Sequence, residues 1–166
     1  ISAAAQRGLA VVALAPLLEG RLTANIPSSV AALWGDRSPA EYALRWAWND
    51  PSVSTAVVAM RSPEEVHEYA EAADRAEAGG LTVPDELLIS RVRDAYRQLR
   101  PVPCTTCRAC MPCPRGIDAP RIFELYNDAV MYGDRPYGLA AYRREGHDIT
   151  DCDDCGDCAR ACGRWC

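Results

Sequence analysis

Cysteine is the residue type that offers the clearest chemistry in this chain, because eight of the nine cysteines fall into two short runs. The first run has the spacing C-x2-C-x2-C-x2-C and comprises Cys104, Cys107, Cys110 and Cys113. The second run has the spacing C-x2-C-x2-C-x3-C and comprises Cys152, Cys155, Cys158 and Cys162. Thiolates at every third residue wrap three iron corners of a cubane cluster, and the fourth ligand comes from elsewhere. The two runs therefore predict two 4Fe–4S clusters with all eight cysteines as ligands.

The position of Cys113 favours an exchange of ligands between the runs. In two-cluster ferredoxins the fourth cysteine of one run ligates the other cluster. Cys113 lies between Pro112 and Pro114, where the chain turns away from its own loop. The predicted first set is Cys104, Cys107, Cys110 and Cys162. The predicted second set is Cys152, Cys155, Cys158 and Cys113.

Zinc and disulfide bonds are the alternatives for these cysteines. Zinc favours paired C-x2-C knuckles with two ligands each, whereas both runs here carry a third cysteine in step. A disulfide framework fits less well, because the count of nine is odd and the first hundred residues contain no cysteine. Cys166, the ninth cysteine, is interpreted as a spare thiol that can substitute for Cys162.

Composition limits the class of protein. The chain has 166 residues and a net charge of −5, so it lacks the basic surface of a nucleic-acid-binding protein. It has no apolar run of transmembrane length, so we expect no membrane span. Cysteines with cluster spacing predict a reducing, cytoplasmic compartment. The chain begins with Ile1, and we expect it to be a fragment of a longer product.

The part before the cysteines predicts alternating strands and helices. Leu9–Leu17 and Thr55–Met60 are short apolar runs typical of strands buried on both faces. Ser-Pro-x-Glu capping boxes predict one helix that begins near Pro39 and another that begins near Pro63. We expect residues 20–32 to form a loop and a third helix to cover about residues 84–99. A proline-marked stretch then separates residues 1–100 from 101–166.

Residues on both sides of this boundary resemble one family of oxidoreductases. The segments GLAVVALAPLLEG and SPAEYALRWAWNDPSVSTAVVAMRSPEEVHEYAEAA are similar to the last two strand–helix units of an aldo/keto reductase. The segments CTTCRACMPCPRGIDAPRIFELYNDAVMYG and CDDCGDCARAC are similar to the C-terminal dicluster ferredoxin domain that some of these enzymes carry. The resemblance implies the end of a TIM-type (β/α)8 barrel, here without its catalytic tetrad, and therefore no catalytic residue. It also implies that the missing N-terminal barrel half is a partner of this segment.

The same resemblance implies part of a dinucleotide site for NAD(P) in the full-length parent. The residues it implies are Leu14, Ala15, Pro16, Leu17, Met60, Arg61, Ser62, Glu65 and Glu68. Glu65 replaces the arginine of phosphate-binding members, so a carboxylate would repel a 2′-phosphate and NAD is favoured over NADP. The alternative is that these residues only pack the strand end and cap a helix.

The region between the cysteine runs predicts helices. Asp118 can cap a helix with Pro120 in its first turn, and Gly133 ends it. A second short helix is expected at about residues 137–145, which predicts an all-α, ferredoxin-like domain and a mainly helical chain. Ile122, Phe123, Tyr126, Ala129 and Val130 form the predicted apolar stripe of the first of these helices.

Acidic residues surround the second run, at Asp148, Asp151, Asp153, Asp154 and Asp157. They predict either a lowered cluster potential or simply a solvated loop. His67 and His147 are expected at the surface.

An electron-transfer module that exchanges electrons with an unidentified redox partner is the function these patterns favour. Structural clusters in a carbonyl reductase and a zinc-binding interaction module are the alternatives.

Overall fold

The computed structural model describes residues 1–163, and helices make up 52% of it, so the prediction of a mainly helical chain is confirmed. The chain divides into two compact units. The first unit covers Ile1–Ala95 and the second begins at Tyr96. This division lies a few residues before the predicted boundary at residues 100 and 101. Residues 164–166, which include Cys166, lie outside the described residues.

The first unit contains a two-stranded parallel sheet. Strand β1 covers Val11–Leu14 and strand β2 covers Val53–Val57, with Leu14 opposite Val57. The prediction that both strands are buried on both faces is wrong. Val12 is 47% exposed, Leu14 is 74% exposed and Val57 is 54% exposed. Within the described residues the sheet has only these two strands, so no further strand covers its edges.

Six helices belong wholly or mostly to the first unit. They are α1 (Ser2–Ala5), α2 (Arg21–Ala24), α3 (Ser28–Trp34), α4 (Pro39–Asn49), α5 (Pro63–Asp74) and α6 (Val83–Gln98). A 3-10 turn at Leu18–Gly20 precedes α2. The predicted loop over residues 20–32 is therefore wrong, because α2 and most of α3 occupy it. The helices predicted from the capping boxes are confirmed.

Capping side chains fix the starts of α4 and α5. Ser38 accepts a hydrogen bond from the backbone N–H of Glu41 at 3.1 Å, and Ser62 accepts one from that of Glu65 at 3.3 Å. Each bond satisfies a backbone donor that the first turn of a helix leaves free.

Burial in the first unit concentrates on one small apolar core. The core comprises Leu17, Ala40, Leu44, Tyr69 and Ala72. On α5, Val66 is 47% exposed, whereas Ala72 is fully buried. The helix is rotated so that Tyr69 and Ala72, three residues apart, face the core together.

The second unit is helical between the cysteine runs. It contains α7 (Ala119–Met131), α8 (Arg135–Arg144) and α9 (Asp157–Ala161). Asp118 caps α7 by accepting from the Arg121 N–H, and Asp134 caps α8 by accepting from the Tyr137 N–H. The end of α7 is followed by Gly133, whose φ of 62° lies in the left-handed region that glycine adopts readily.

Helices α7 and α8 approach closely at Gly138. A Cβ atom at this position would lie 2.9 Å from the Cβ of Ala129 and 3.3 Å from the carbonyl oxygen of Leu125. The expected burial of the whole α7 stripe is wrong, because Tyr126 is 51% exposed and Val130 is 48% exposed. These two side chains line an open groove of about 560 Å³ beside α8.

The side chain of Asn127 holds the proline-marked segment against α7. Its Nδ2 donates to the carbonyl oxygen of Val102 at 2.9 Å, and its Oδ1 accepts from the Val102 N–H at 3.0 Å. Asn127 is only 4% exposed. These two bonds fix the backbone just before Cys104, the first cysteine.

No helix within residues 1–163 is long and apolar enough to span a membrane.

Candidate metal site at the cysteine runs

One cavity brings the end of the second run to the first run. It has a volume of about 440 Å³, and its lining includes Cys104, Cys107, Cys110 and Cys162. Cys113 is not among the lining residues. Thr105, Arg108, Ala109, Pro120 and Gly163 complete the wall. Cys162, from the second run, therefore lines the same space as three cysteines of the first run.

The two runs share an unusual backbone conformation. In the first run, the second and fourth residues after the leading cysteine are Thr106 with φ 53° and Arg108 with φ 60°. In the second run the equivalent residues are Asp154 with φ 54° and Gly156 with φ 73°. Residues other than glycine rarely adopt this left-handed region. Alternation of this kind turns backbone N–H groups toward a common centre, as in anion-binding loops and iron–sulfur sites.

One of those backbone donors already points at a sulfur atom. The N–H of Thr106 donates to Sγ of Cys104 at 3.4 Å. Cys104 is 8% exposed, whereas Cys107 and the first three cysteines of the second run lie at the surface. No disulfide joins the cysteines of the two runs.

The surroundings of two of the thiols raise their pKa values. The pKa of Cys110 is raised first by burial, and also by Cys104, Cys158 and Cys162. The hydrogen bond from the Asp157 backbone lowers the pKa of Cys155, but burial and two carboxylates outweigh it, so the net shift is upward. A metal that binds these sulfurs must therefore displace protons.

An ion pair joins the segment after Cys113 to the start of the second run. Nε of Arg115 lies 2.9 Å from Oδ2 of Asp153, the residue that follows Cys152. The fold therefore brings a cation, Arg115, to the acidic residues of the second run. Arg160 also lies in the second run and pairs with Asp157.

A further ion pair ties the first run to α7. Arg108, between Cys107 and Cys110, donates to both carboxylate oxygens of Asp118 at 3.3 and 3.0 Å. Asp118 is also the cap of α7. The left-handed loop of the first run is thus fixed to the start of the helix.

The ends of α7 and α8 are linked by a second group of charges. Arg121 donates to the two carboxylate oxygens of Glu145 at 2.9 and 2.8 Å. These bonds are the main reason that the pKa of Glu145 falls to about 2. His147 lies 3.0 Å from Glu145, and its ring packs at 5.7 Å from that of Tyr142. His147, which was expected at the surface, is half-buried and has Glu145 as a partner.

The residues implied for dinucleotide binding fall into two groups. Leu14 and Ala15 lie where β1 ends, and Met60, Arg61 and Ser62 follow β2, so both sets are at one edge of the parallel sheet. The Arg61 guanidinium lies against Gly20 and pairs with Glu65 at 2.9 Å. That hydrogen bond lowers the pKa of Glu65 and also balances its charge, which weakens the expected repulsion of a 2′-phosphate.

Other members of that implied set have structural partners. Leu17 is 2% exposed in the core, and Pro16 precedes it. Glu68 accepts a hydrogen bond from the Ser38 hydroxyl and so joins α5 to the start of α4. Ser62 caps α5.

Arg108 and Arg115 support the runs but were not among the predicted site residues. The acidic residues around the second run are the signal in the sequence for a complementary cation. Comparison with protein-family models, curated proteins and solved structures finds no match to the chain. Within residues 1–163, no three His, Cys, Asp or Glu side chains are placed to hold a single metal ion. The four cysteines that line the cavity are the feature from which a function is proposed.

Proposed function

We propose that the second unit binds two 4Fe–4S clusters and relays single electrons. The observation that carries this proposal is the cavity shared by Cys104, Cys107, Cys110 and Cys162. Cys104, Cys107 and Cys110 are neighbours in sequence, but Cys162 belongs to the second run. Its presence in the lining supports a ligand set drawn from both runs.

The cavity fits a cluster better than a single ion. Its volume of about 440 Å³ is many times the ~30 Å³ share of one water molecule. A zinc site with four thiolates holds its sulfurs about 2.3 Å from the metal and leaves no such space. A cavity of this size with four cysteines in its lining supports a cubane rather than a single ion.

The ligands of the two clusters are proposed to cross between the runs. Cys162 lines the cavity of the first run, and Arg115 brings the segment after Cys113 to Asp153 in the second run. Each contact supports one half of the exchange. Cys104, Cys107, Cys110 and Cys162 hold the first cluster. Cys152, Cys155, Cys158 and Cys113 hold the second cluster.

The cluster supplies one-electron chemistry when bound, and the chain positions and tunes it. The Thr106 N–H donates to the Cys104 sulfur, and donors of this kind stabilise negative charge on sulfur. The Arg108 and Arg115 guanidinium groups add positive charge beside the first and second runs, which favours the reduced form.

We propose that the first unit is the end of an aldo/keto reductase barrel, so that the parent is a cytoplasmic oxidoreductase that uses NAD(P). Two parallel strands, each followed by helical segments, support this interpretation, as does the common edge at which Leu14 and Arg61 lie. The rest of the barrel and a redox partner are the proposed partners. The catalytic residues are expected outside this segment.

Metal analysis is the first test. Chain purified without oxygen, or reconstituted with iron and sulfide, is expected to be brown and to hold about eight iron and eight sulfide per chain. Stoichiometric zinc in a colourless protein would contradict the proposal. The eight-serine variant of the two runs is the control and should hold neither element.

Single serine variants test the crossed ligands. Cys162→Ser is expected to alter the same paramagnetic resonance signal as Cys107→Ser, and Cys113→Ser the same signal as Cys155→Ser. Cys166→Ser is the matched control for Cys162→Ser and should leave both signals unchanged. If Cys113→Ser and Cys107→Ser change one signal together, each run binds its own cluster.

A further inference from the structure

We propose that Arg115 is a positioning residue, whose ion pair with Asp153 holds Cys113 beside the second run before any metal binds. The role of this pair in preparing the second ligand set rests on the proposed function. The ion pair itself is present in the chain without metal.

The geometry of the pair supports this role. Arg115 is the second residue after Cys113, and Asp153 directly follows Cys152. The 2.9 Å contact between Nε and Oδ2 therefore joins the neighbourhoods of two cysteines that are far apart in sequence.

The second run is held by polar contacts rather than by apolar packing. Cys152, Cys155 and Cys158 are exposed, so apolar packing does not fix them. Asp148 accepts a hydrogen bond from the nearby Thr150 hydroxyl, and Asp157 forms an ion pair with the nearby Arg160. Arg115 instead reaches the loop from the other run.

Exposure limits the size of the effect. The side chain of Arg115 is 56% exposed and that of Asp153 is 42% exposed. Exposed pairs of this kind shift an equilibrium about 1.5- to 5-fold. Loss of Arg115 should therefore lower, by a factor in this range, the equilibrium constant for placing Cys113 beside the second run. The unit should stay folded.

Cross-linking of the metal-free full chain tests the positioning. Limited oxidation with diamide should join Cys113 to Cys152 or Cys155, as mapped by mass spectrometry after digestion with a protease that does not cut at arginine. Arg115→Gln should lower the yield of these cross-links about 1.5- to 5-fold. Arg115→Asp combined with Asp153→Arg should restore it.

The matched control is Arg108→Gln, which breaks the Arg108–Asp118 pair of the first run. It should leave the cross-links of Cys113 unchanged. Equal yields for wild type and Arg115→Gln would overturn the inference, and so would an equal loss in Arg108→Gln. The outcome does not depend on metal, so it stands even if the wild-type chain holds no iron.

A redox titration of the reconstituted chain provides the second readout. Arg115→Gln should lower the midpoint potential of the cluster whose signal responds to Cys155→Ser, because a positive charge is lost beside it. Arg115→Lys should restore most of that potential, and Arg108→Gln should lower only the other one. A potential unchanged by Arg115→Gln would overturn the placement of Arg115 beside the second cluster.

Discussion

Replacement of Asn127 by leucine tests whether α7 positions the first cysteine. Leucine is similar in size to asparagine but has no amide. The variant therefore removes the two hydrogen bonds that join Asn127 to the N–H and carbonyl groups of Val102. Cys104, two residues further on, is the most buried cysteine of the first run.

The magnitude follows from the number of bonds and their burial. Each internal hydrogen bond contributes about 0.5–1.5 kcal/mol, and a buried group left without a partner costs about 1–3 kcal/mol. Asn127 is buried, whereas Val102 is half-buried and can recover part of its hydrogen bonding from water. We expect Asn127→Leu to lower the free energy of unfolding of the second unit by about 2 kcal/mol.

Native-state hydrogen exchange of the full chain measures this change. A loss of about 2 kcal/mol corresponds to roughly 30-fold faster exchange in α7. Peptides of α4, in the first unit, should exchange at the wild-type rate.

Asn49→Leu is the matched control. The Asn49 side chain accepts from the Leu81 N–H at 3.1 Å in the first unit. This variant should therefore affect α4 and spare α7. Unchanged exchange of α7 in Asn127→Leu would refute the reasoning, as would equal acceleration of both helices in both variants.

Two further predictions concern backbone geometry. Gly138→Ala should lower the melting temperature through a clash worth about 1–3 kcal/mol with Ala129, although alanine normally stabilises a helix; a raised melting temperature would show that α7 and α8 separate freely. Thr106→Gly should raise the urea midpoint by relieving about 1 kcal/mol of left-handed strain, and Gly156→Ala should lower it by a similar amount; the same sign for both variants would contradict the assignment of strain.

Local signals in the sequence predicted the starts of helices well. Ser38, Ser62 and Asp118 each precede a proline-containing first turn, and each caps the helix that was expected there. Caps act within three residues, so the sequence contains the whole interaction. The spacing of the cysteines within the first run is equally local and groups Cys107 and Cys110 with Cys104, whereas the approach of Cys162 to them is not local.

Burial could not be predicted in the same way, because it depends on distant partners. The side chains of Val66 and Ala72 lie on different faces of α5, and only the core around Leu44 decides which of them is covered. The pairing of Arg115 with Asp153 required the chain to return on itself. The left-handed conformations of Thr106 and Arg108 had no signal, since neither residue favours them.

The left-handed conformation shared by the two cysteine loops implies that one loop loses its shape before the other. In the second run, Gly156 adopts the left-handed region at no cost and Asp154 tolerates it. In the first run, Thr106 and Arg108 each store about 1–2 kcal/mol, which their surroundings must supply. The first loop therefore keeps its shape only while Asp118 and the start of α7 hold it. On heating, the loop of the first run should therefore lose its conformation before the loop of the second run.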